Sequence, residues 1–242
     1  MTRNRPRHTQ HEAIVKQAAK LSPKKRTVAK KDTSGHTEET VSVTLRTNPI
    51  MLGVPMDEVM FSKFFAGIIR AEIMPWDSIV TTESTYLPDA RNLVHDAFLK
   101  SGLPHLFMVD SDVLIMPWII QTLLGHKKDL VGGWYHQKGA KVVDGQMVHK
   151  PTVYKRWEVQ EDGFPYFEIY DSPEKGLMKV AGIGAGCIMM NRKLAEALGE
   201  SPYHTDKGVG EDLVMCKKVL DLGYDIWVDW ELACPHVGVS YV

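Results

Sequence analysis

An α/β fold is predicted, with a mostly parallel central sheet, helices on both faces and a small antiparallel hairpin region. Three observations predict it. Apolar runs alternate with amphipathic segments through the first half of the chain, the pattern of strand–helix–strand units. The apolar runs are short and end in polar or turn residues, as buried strands do. Beyond residue 150, apolar and polar residues alternate around Asp162-Gly163, which reads as a hairpin.

The elements follow in order from about residue 41. "PIMLGVPM" is a strand ending at Pro55. "DEVMFSKFFAGIIRAEI" has helical spacing at Val59, Phe61, Phe64, Phe65, Ile68 and Ile69. "DSIVTTES" is a second strand with a polar end. "DARNLVHDAFLKSG" is an amphipathic helix with Leu93, Val94, Ala97 and Phe98 on one face, ended by Gly102. "HLFMVDSD" is a third strand, "MPWIIQTLLGH" a helix with Pro117 near its start, and "DLVGGWY" a fourth strand. After the hairpin, "LMKVAGIGAGCIMMNRK" reads as one Gly-rich strand. "GEDLVMCKKVLDLG" is a helix closed by Gly223, and "YDIWVDW" a last strand.

The 242 residues suffice for one large domain or two small ones, with apolar and charged content ordinary for a globular protein. The net charge of −1 hides an asymmetry. Residues 1–31 hold ten Lys/Arg against one acidic residue, Glu12, so the remainder is acidic. We read residues 1–40 as a basic arm and linker, with "QHEAIVKQAAKL" a short helix within it, and 41–242 as one domain. The arm is either a solvated tail or a contact for nucleic acid or another anionic surface. Cys187, Cys216 and Cys234 are widely spaced and form no CxxC pair, which speaks against a zinc knuckle or a disulfide framework. The N-terminus has no apolar secretory segment. "VLIMPWII" is far shorter than the roughly 20 residues a membrane helix needs. A cytoplasmic protein without a membrane span is therefore expected.

The chemistry concentrates where the third strand ends in Asp110-Ser111-Asp112. Two carboxylates this close repel, so a compensating partner is expected. Oxygen ligands at a strand end in an α/β crevice suit Mg²⁺ or Mn²⁺ serving substrate phosphates. The same aspartates also suit capping of the following helix. A haloacid-dehalogenase-type phosphatase places its D-x-D on the first strand, with Thr or Val where Leu114 stands here, and fits less well. Glu211 and Asp212 begin a later helix, where acids also complement the helix N-terminus. His236 follows the last strand. "AGIGAGC" lacks the G-x-G-x-x-G spacing of a dinucleotide loop, and its glycines would let substrate approach the backbone. Trp134 and Tyr135 stand at a strand end, where they suit either stacking on a sugar or core packing.

In chain order, "RN" at Arg91-Asn92, the strand-end D-x-D, "DLVGGWY", the helix-start Glu-Asp after a Gly-rich strand and the late histidine resemble the GT-A glycosyltransferases. They are most similar to the inverting, family-2-like members, including small phage-borne and bacterial ones, over residues 48 to 240. The resemblance implies a Rossmann-like GT-A domain moving a sugar from a nucleotide-sugar donor to an acceptor hydroxyl. It implies Asp110, Asp112 and His236 as ligands of Mn²⁺ or Mg²⁺, with Asp110 binding through water or touching the ribose. Pro55, Thr82, Glu83 and Ser111 would border the nucleotide, and Arg91 would pair with the diphosphate. Asp212 would be the acceptor base, with Glu211 positioning the acceptor. Retaining relatives share the D-x-D and late histidine. The acceptor, whether glycan, protein or modified nucleic acid, is not implied. Alternative readings are a nucleotidyltransferase, whose early nucleotide loop "VPMDEVM" lacks, and a nucleic-acid-binding protein acting through residues 1–31.

Overall fold

The structure, a computed structural model, describes residues 26–27, 42–43, 46–55, 64, 67–68, 71, 73–82, 86–138, 141–143, 146–161 and 165–236. The chain divides into two compact units, Met1–Pro49 with Met74–Trp76, and Ile50–Ile73 with Asp77–Val242. In the first, strands β1 (Arg26–Thr27) and β2 (Ser42–Val43) pair antiparallel. The rest of the basic arm, with its expected short helix, lies outside the described residues.

The second unit opens with strands β3 (Ile50–Val54), β4 (Ser78–Thr81), β5 (His105–Val109) and β6 (Leu130–Trp134). Its later half adds β7 (Lys141–Val143), β8 (Gln146–Val148), β9 (Val153–Val159), β10 (Pro165–Ile169), β11 (Leu177–Val180), β12 (Gly182–Ile183), β13 (Cys187–Asn191) and β14 (Ile226–Ala233). Seven strands form the main sheet, in the order β11-β14-β6-β13-β5-β3-β4.

That sheet is mixed, a correction to the mostly parallel one expected. The pairs β3–β4, β3–β5 and β14–β6 are parallel, whereas β13 runs antiparallel to both β5 and β6, and β11 antiparallel to β14. Parallel neighbours need a long crossover, usually a helix. Between β6 and β13 the described residues hold only strands and turns. The chain therefore re-enters the sheet from the edge at which β6 left it, and β13 runs the other way. The Gly-rich segment is likewise three short strands rather than one. Its middle piece, β12, pairs with β9, and β9 with β10, in a separate antiparallel sheet. This is the expected hairpin region, with Val159 opposite Pro165. Its turn at Asp162-Gly163 lies outside the described residues.

Side chains of the central strands alternate between two apolar clusters, one on each sheet face. Ile50, Leu52, Phe107 and Val109 join one; Met51, Leu106, Met108 and Ile188 join the other. Helices α1 (Leu87–Ser101), α3 (Arg192–Leu198) and α4 (Glu211–Asp221) cover the second cluster, and α2 (Ile119–Gly125) covers the first. Burial on both faces is why these strands read as unbroken apolar runs. Each fully buried Leu, Ile or Phe contributes about 1.5–3 kcal/mol. In the expected helix of residues 57–73, Phe64, Gly67 and Ile68 are helical, and Val59, Phe61, Phe65 and Ile69 lie outside the described residues.

Helix α1 ends at Gly102, whose φ of 73° is one that glycine adopts at little cost. Its inward face differs from the expected one. Leu93 is 55% exposed, while Arg91, Val94, His95 and Phe98 point inward. Two polar residues take inward positions because they find partners there. His95 Nε2 meets the Gly199 carbonyl at 3.0 Å, and Arg91 meets two carboxylates. Among the described residues, no helix is long and apolar enough to cross a membrane.

The topology places the functional candidates. Strands β3, β4, β5, β6 and β14 run in one direction, so their carboxyl ends share one sheet edge. Pro55, Thr82, Asp110, Tyr135 and His236 all follow those ends. Such an edge is where ligands bind in open α/β sheets.

Candidate functional site

Asp110 is the first residue beyond β5, and its backbone is held before its side chain acts. Its N–H donates to the Gly186 carbonyl at 3.0 Å, and its own carbonyl accepts from Val113 N at 3.0 Å, closing a tight turn around Ser111 and Asp112. Gly186 N in turn donates to the Tyr135 hydroxyl at 2.9 Å. A Cβ on Gly186 would stand 2.7 Å from that hydroxyl and 2.8 Å from Asp110 Oδ2. Tyr135 thus fills the space that these glycines leave, where the sequence suggested room for substrate. Gly186→Ala is expected to push Asp110 off its partner and cost about 1–3 kcal/mol, read as a lowered urea midpoint. An unchanged midpoint would contradict this packing.

Arg91 organises the acids. Its side chain is 3% exposed; Nη2 donates to Asp110 Oδ2 at 2.9 Å, Nε to Glu211 Oε1 at 3.2 Å, and Nη1 to the Ala185 carbonyl at 3.1 Å. Burial alone would lower its pKa, but the charges of Asp110, Tyr135 and Glu211 outweigh burial and raise it. The guanidinium was expected against a diphosphate. Here its donors are engaged within the protein, and it ties the D-x-D turn to the start of α4.

Asp112 points elsewhere. Its Oδ1 lies 3.1 Å from His236 Nε2, and its Oδ2 lies 2.6 Å from the ammonium of Lys138. The chain after β14 returns to pair with the turn: Leu114 N donates to the Pro235 carbonyl at 2.9 Å, and Val113 bridges His236. That pairing brings His236 beside Asp112. Burial alone would raise the Asp112 pKa, but hydrogen bonds from His236 and Lys138 bring it down to about 2.

Asp212 behaves oppositely. Burial, then the charge of Glu211, push its carboxyl up to about 6, against the pull of Arg91. Its Oδ1 accepts from Leu213 N at 2.8 Å in the first turn of α4. So the structure gathers Arg91, Asp110 and Glu211 into one ion cluster, sets Asp112 with His236, and leaves Asp212 as the acid of raised proton affinity. Pro55 and Thr82 are buried at neighbouring strand ends, joined through the Thr82 N–Val54 O hydrogen bond of 3.3 Å. Glu83 lies outside the described residues. Trp134 is a core residue, its Nε1 donating to the Trp230 carbonyl at 2.9 Å. Lys138 was missed, since nothing in "HQKGA" marks it as a partner of a residue 26 positions away.

Comparison with solved structures shows a GT-A-like fold. The viral protein A197 from STIV superposes with a TM-score of 0.54 at 14% identity, covering 78% of this chain and 85% of its own. GalNAc-T7, solved with UDP, GalNAc and Mn²⁺, superposes with a TM-score of 0.53 at 12% identity, again over 78% of this chain. This chain matches 44% of the length of that protein. No protein-family model matches the chain, and no curated protein sequence does.

The sheet edge supplies donor types that a hard divalent cation uses, but among the described residues they are not gathered at one point. Asp112 and His236 lie side by side, and Asp110 keeps a buried Oδ1 with no hydrogen-bond partner, as does Nδ1 of His236. Carboxylate oxygens with one imidazole suit Mn²⁺ or Mg²⁺. Among the described residues, no three such side chains already surround one point.

Proposed function

We propose that this protein is a metal-dependent, inverting glycosyltransferase, similar to family-2-like GT-A enzymes, which moves a sugar from a nucleoside-diphosphate donor to an acceptor hydroxyl. The observation that carries it is geometric: in a GT-A-like fold, Arg91 ties the D-x-D turn at a strand end to the Glu211-Asp212 helix start. Asp112 is drawn down to about 2 and Asp212 is pushed up to about 6. Carboxyl groups driven apart in this way are suited to different tasks, one as a permanent anion and one as a proton acceptor.

Asp112, His236 and the unpaired oxygen of Asp110 would hold the cation. When bound, the cation would offset the charge that a diphosphate leaving group develops. Asp212 takes the proton of the attacking hydroxyl. Glu211, fixed by Arg91, raises the proton affinity of Asp212 through its charge and helps position the acceptor. Arg91 holds both acid segments in place rather than reaching the donor. Pro55, Thr82 and Ser111 would border the nucleotide.

The test is calorimetric titration of nucleoside diphosphates and their sugars with and without Mn²⁺. The unaltered protein should bind one of them only with the cation. Asp112→Ala and His236→Ala should each lose that cation-dependent part and most transfer activity. Their fold should remain, because both residues lie beyond strand ends. Equal donor binding by Asp112→Ala in the presence of EDTA would refute the metal role.

A further inference from the structure

We propose that the cavity beside the small sheet is the acceptor subsite and seats a single saccharide ring, an inference that rests on the glycosyltransferase reading. The cavity holds about 240 Å³ between β9, β10, the Asp206–Val209 segment and α4. Leu213, Val214 and Lys217 line its α4 side, so the wall begins one residue after Asp212. A row of aromatic rings links the two places. Trp157 and Phe167, both in the wall, have centroids 6.1 Å apart, and Phe167 lies 5.8 Å from Tyr154. The Tyr154 hydroxyl is pushed up to about 12, by burial first and then by the charge of Asp212, which places that acid within electrostatic reach.

The lining selects the chemistry. Trp157, Phe167 and Val209 offer apolar surface, while Asp206, Lys207 and Lys217 bring charged groups to the same cavity. A saccharide ring has this division, with C–H faces for an aromatic platform and hydroxyls for a charged rim. An acyl chain would make no use of Asp206 and Lys207 at the exposed rim, while Lys217 is already held by Asp221. The volume also falls below the roughly 300 Å³ at which drug-sized pockets begin, which suits one ring better than a peptide segment. Lys217 Nζ stands 4.7 Å from the Trp157 ring and places a donor beside it.

The experiment uses the full chain with ¹⁵N-labelled indoles, and methyl glycosides of glucose, galactose, mannose and N-acetylglucosamine as probes. Nucleoside diphosphates with Mn²⁺ are titrated in parallel. At least one glycoside should shift the Trp157 indole signal. Trp157→Ala should weaken that glycoside roughly tenfold or more, the usual scale for losing a central aromatic anchor, with nucleotide binding unchanged. Tyr166→Ala is the control. Tyr166 alternates with Phe167 along β10 and points to the other face, so its loss should leave glycoside affinity as it was. If nucleotides bind and no glycoside does, or if Trp157→Ala binds glycoside normally, the subsite is wrong and the transferase reading stands. Glycoside binding without any nucleotide binding would overturn the acceptor role. If neither class binds, both readings fall.

Discussion

Asp212→Asn is expected to lose about 10²–10⁴-fold in sugar transfer, the range for removing a general base, with donor affinity unchanged. Asparagine keeps the shape and can still accept from Leu213 N, so a helix-terminus role predicts a loss of stability of about 1 kcal/mol or less. The pH profile separates the two further. With the Asp212 carboxyl at about 6, transfer should fall as pH drops through 6, and this limb should vanish in the variant. Stability moves the other way. A carboxyl raised above its ordinary value binds protons more tightly when folded, so its contribution is present at low pH and is lost as pH rises toward 6. Asp212→Asn should therefore be no less stable than the unaltered protein at pH 7. Near-normal single-turnover transfer by Asp212→Asn would reject the base. If Glu211→Gln were the inactive variant instead, the role would shift by one residue.

Arg91→Met should cost about 3–5 kcal/mol, as breaking a buried ion cluster by removing one member does. Asp110 and Glu211 would lose their common partner. That is a large share of the roughly 5–15 kcal/mol that holds a domain together. Arg91→Lys should recover little, because one ammonium cannot serve two carboxylates and a carbonyl from a fixed fork. Adding Asp110→Asn and Glu211→Gln to Arg91→Met should restore part of the loss, which a urea series on the unaltered protein and these three variants would measure. If the triple variant were no more stable than Arg91→Met, the cost would come from lost packing, not unpaired charge.

Several elements were legible because their signals are local. Apolar runs bounded by Pro55 and by Asp110 are strands, and Gly102 does end its helix. The inward face of α1 was misassigned because periodicity ranks Leu93 above Arg91 and His95. Only their partners, 120 and 104 positions away, make the polar residues the buried ones. Trp134 was ambiguous for the same reason: its carbonyl partner lies on Trp230.

The sequence by itself determined where the acids and the histidine stand along the chain: a D-x-D turn at a strand end, acids at a helix start and a histidine after the last strand. Charge, turn and cap signals act over a few residues, so they can be read without knowing the fold. The direction of β13 and the choice of partners were decided by tertiary structure alone. A strand buried on both faces has the same composition whichever way it runs, and β13 is turned around because the described residues between β6 and β13 pass through strands and turns with no crossover helix. Likewise, nothing near Asp110 states that Arg91 will hold it, or near Asp112 that His236 and Lys138 will. Those pairs form because neighbouring strand ends and the returning C-terminal segment bring charges from distant positions to one edge, where desolvation makes each charge require a partner.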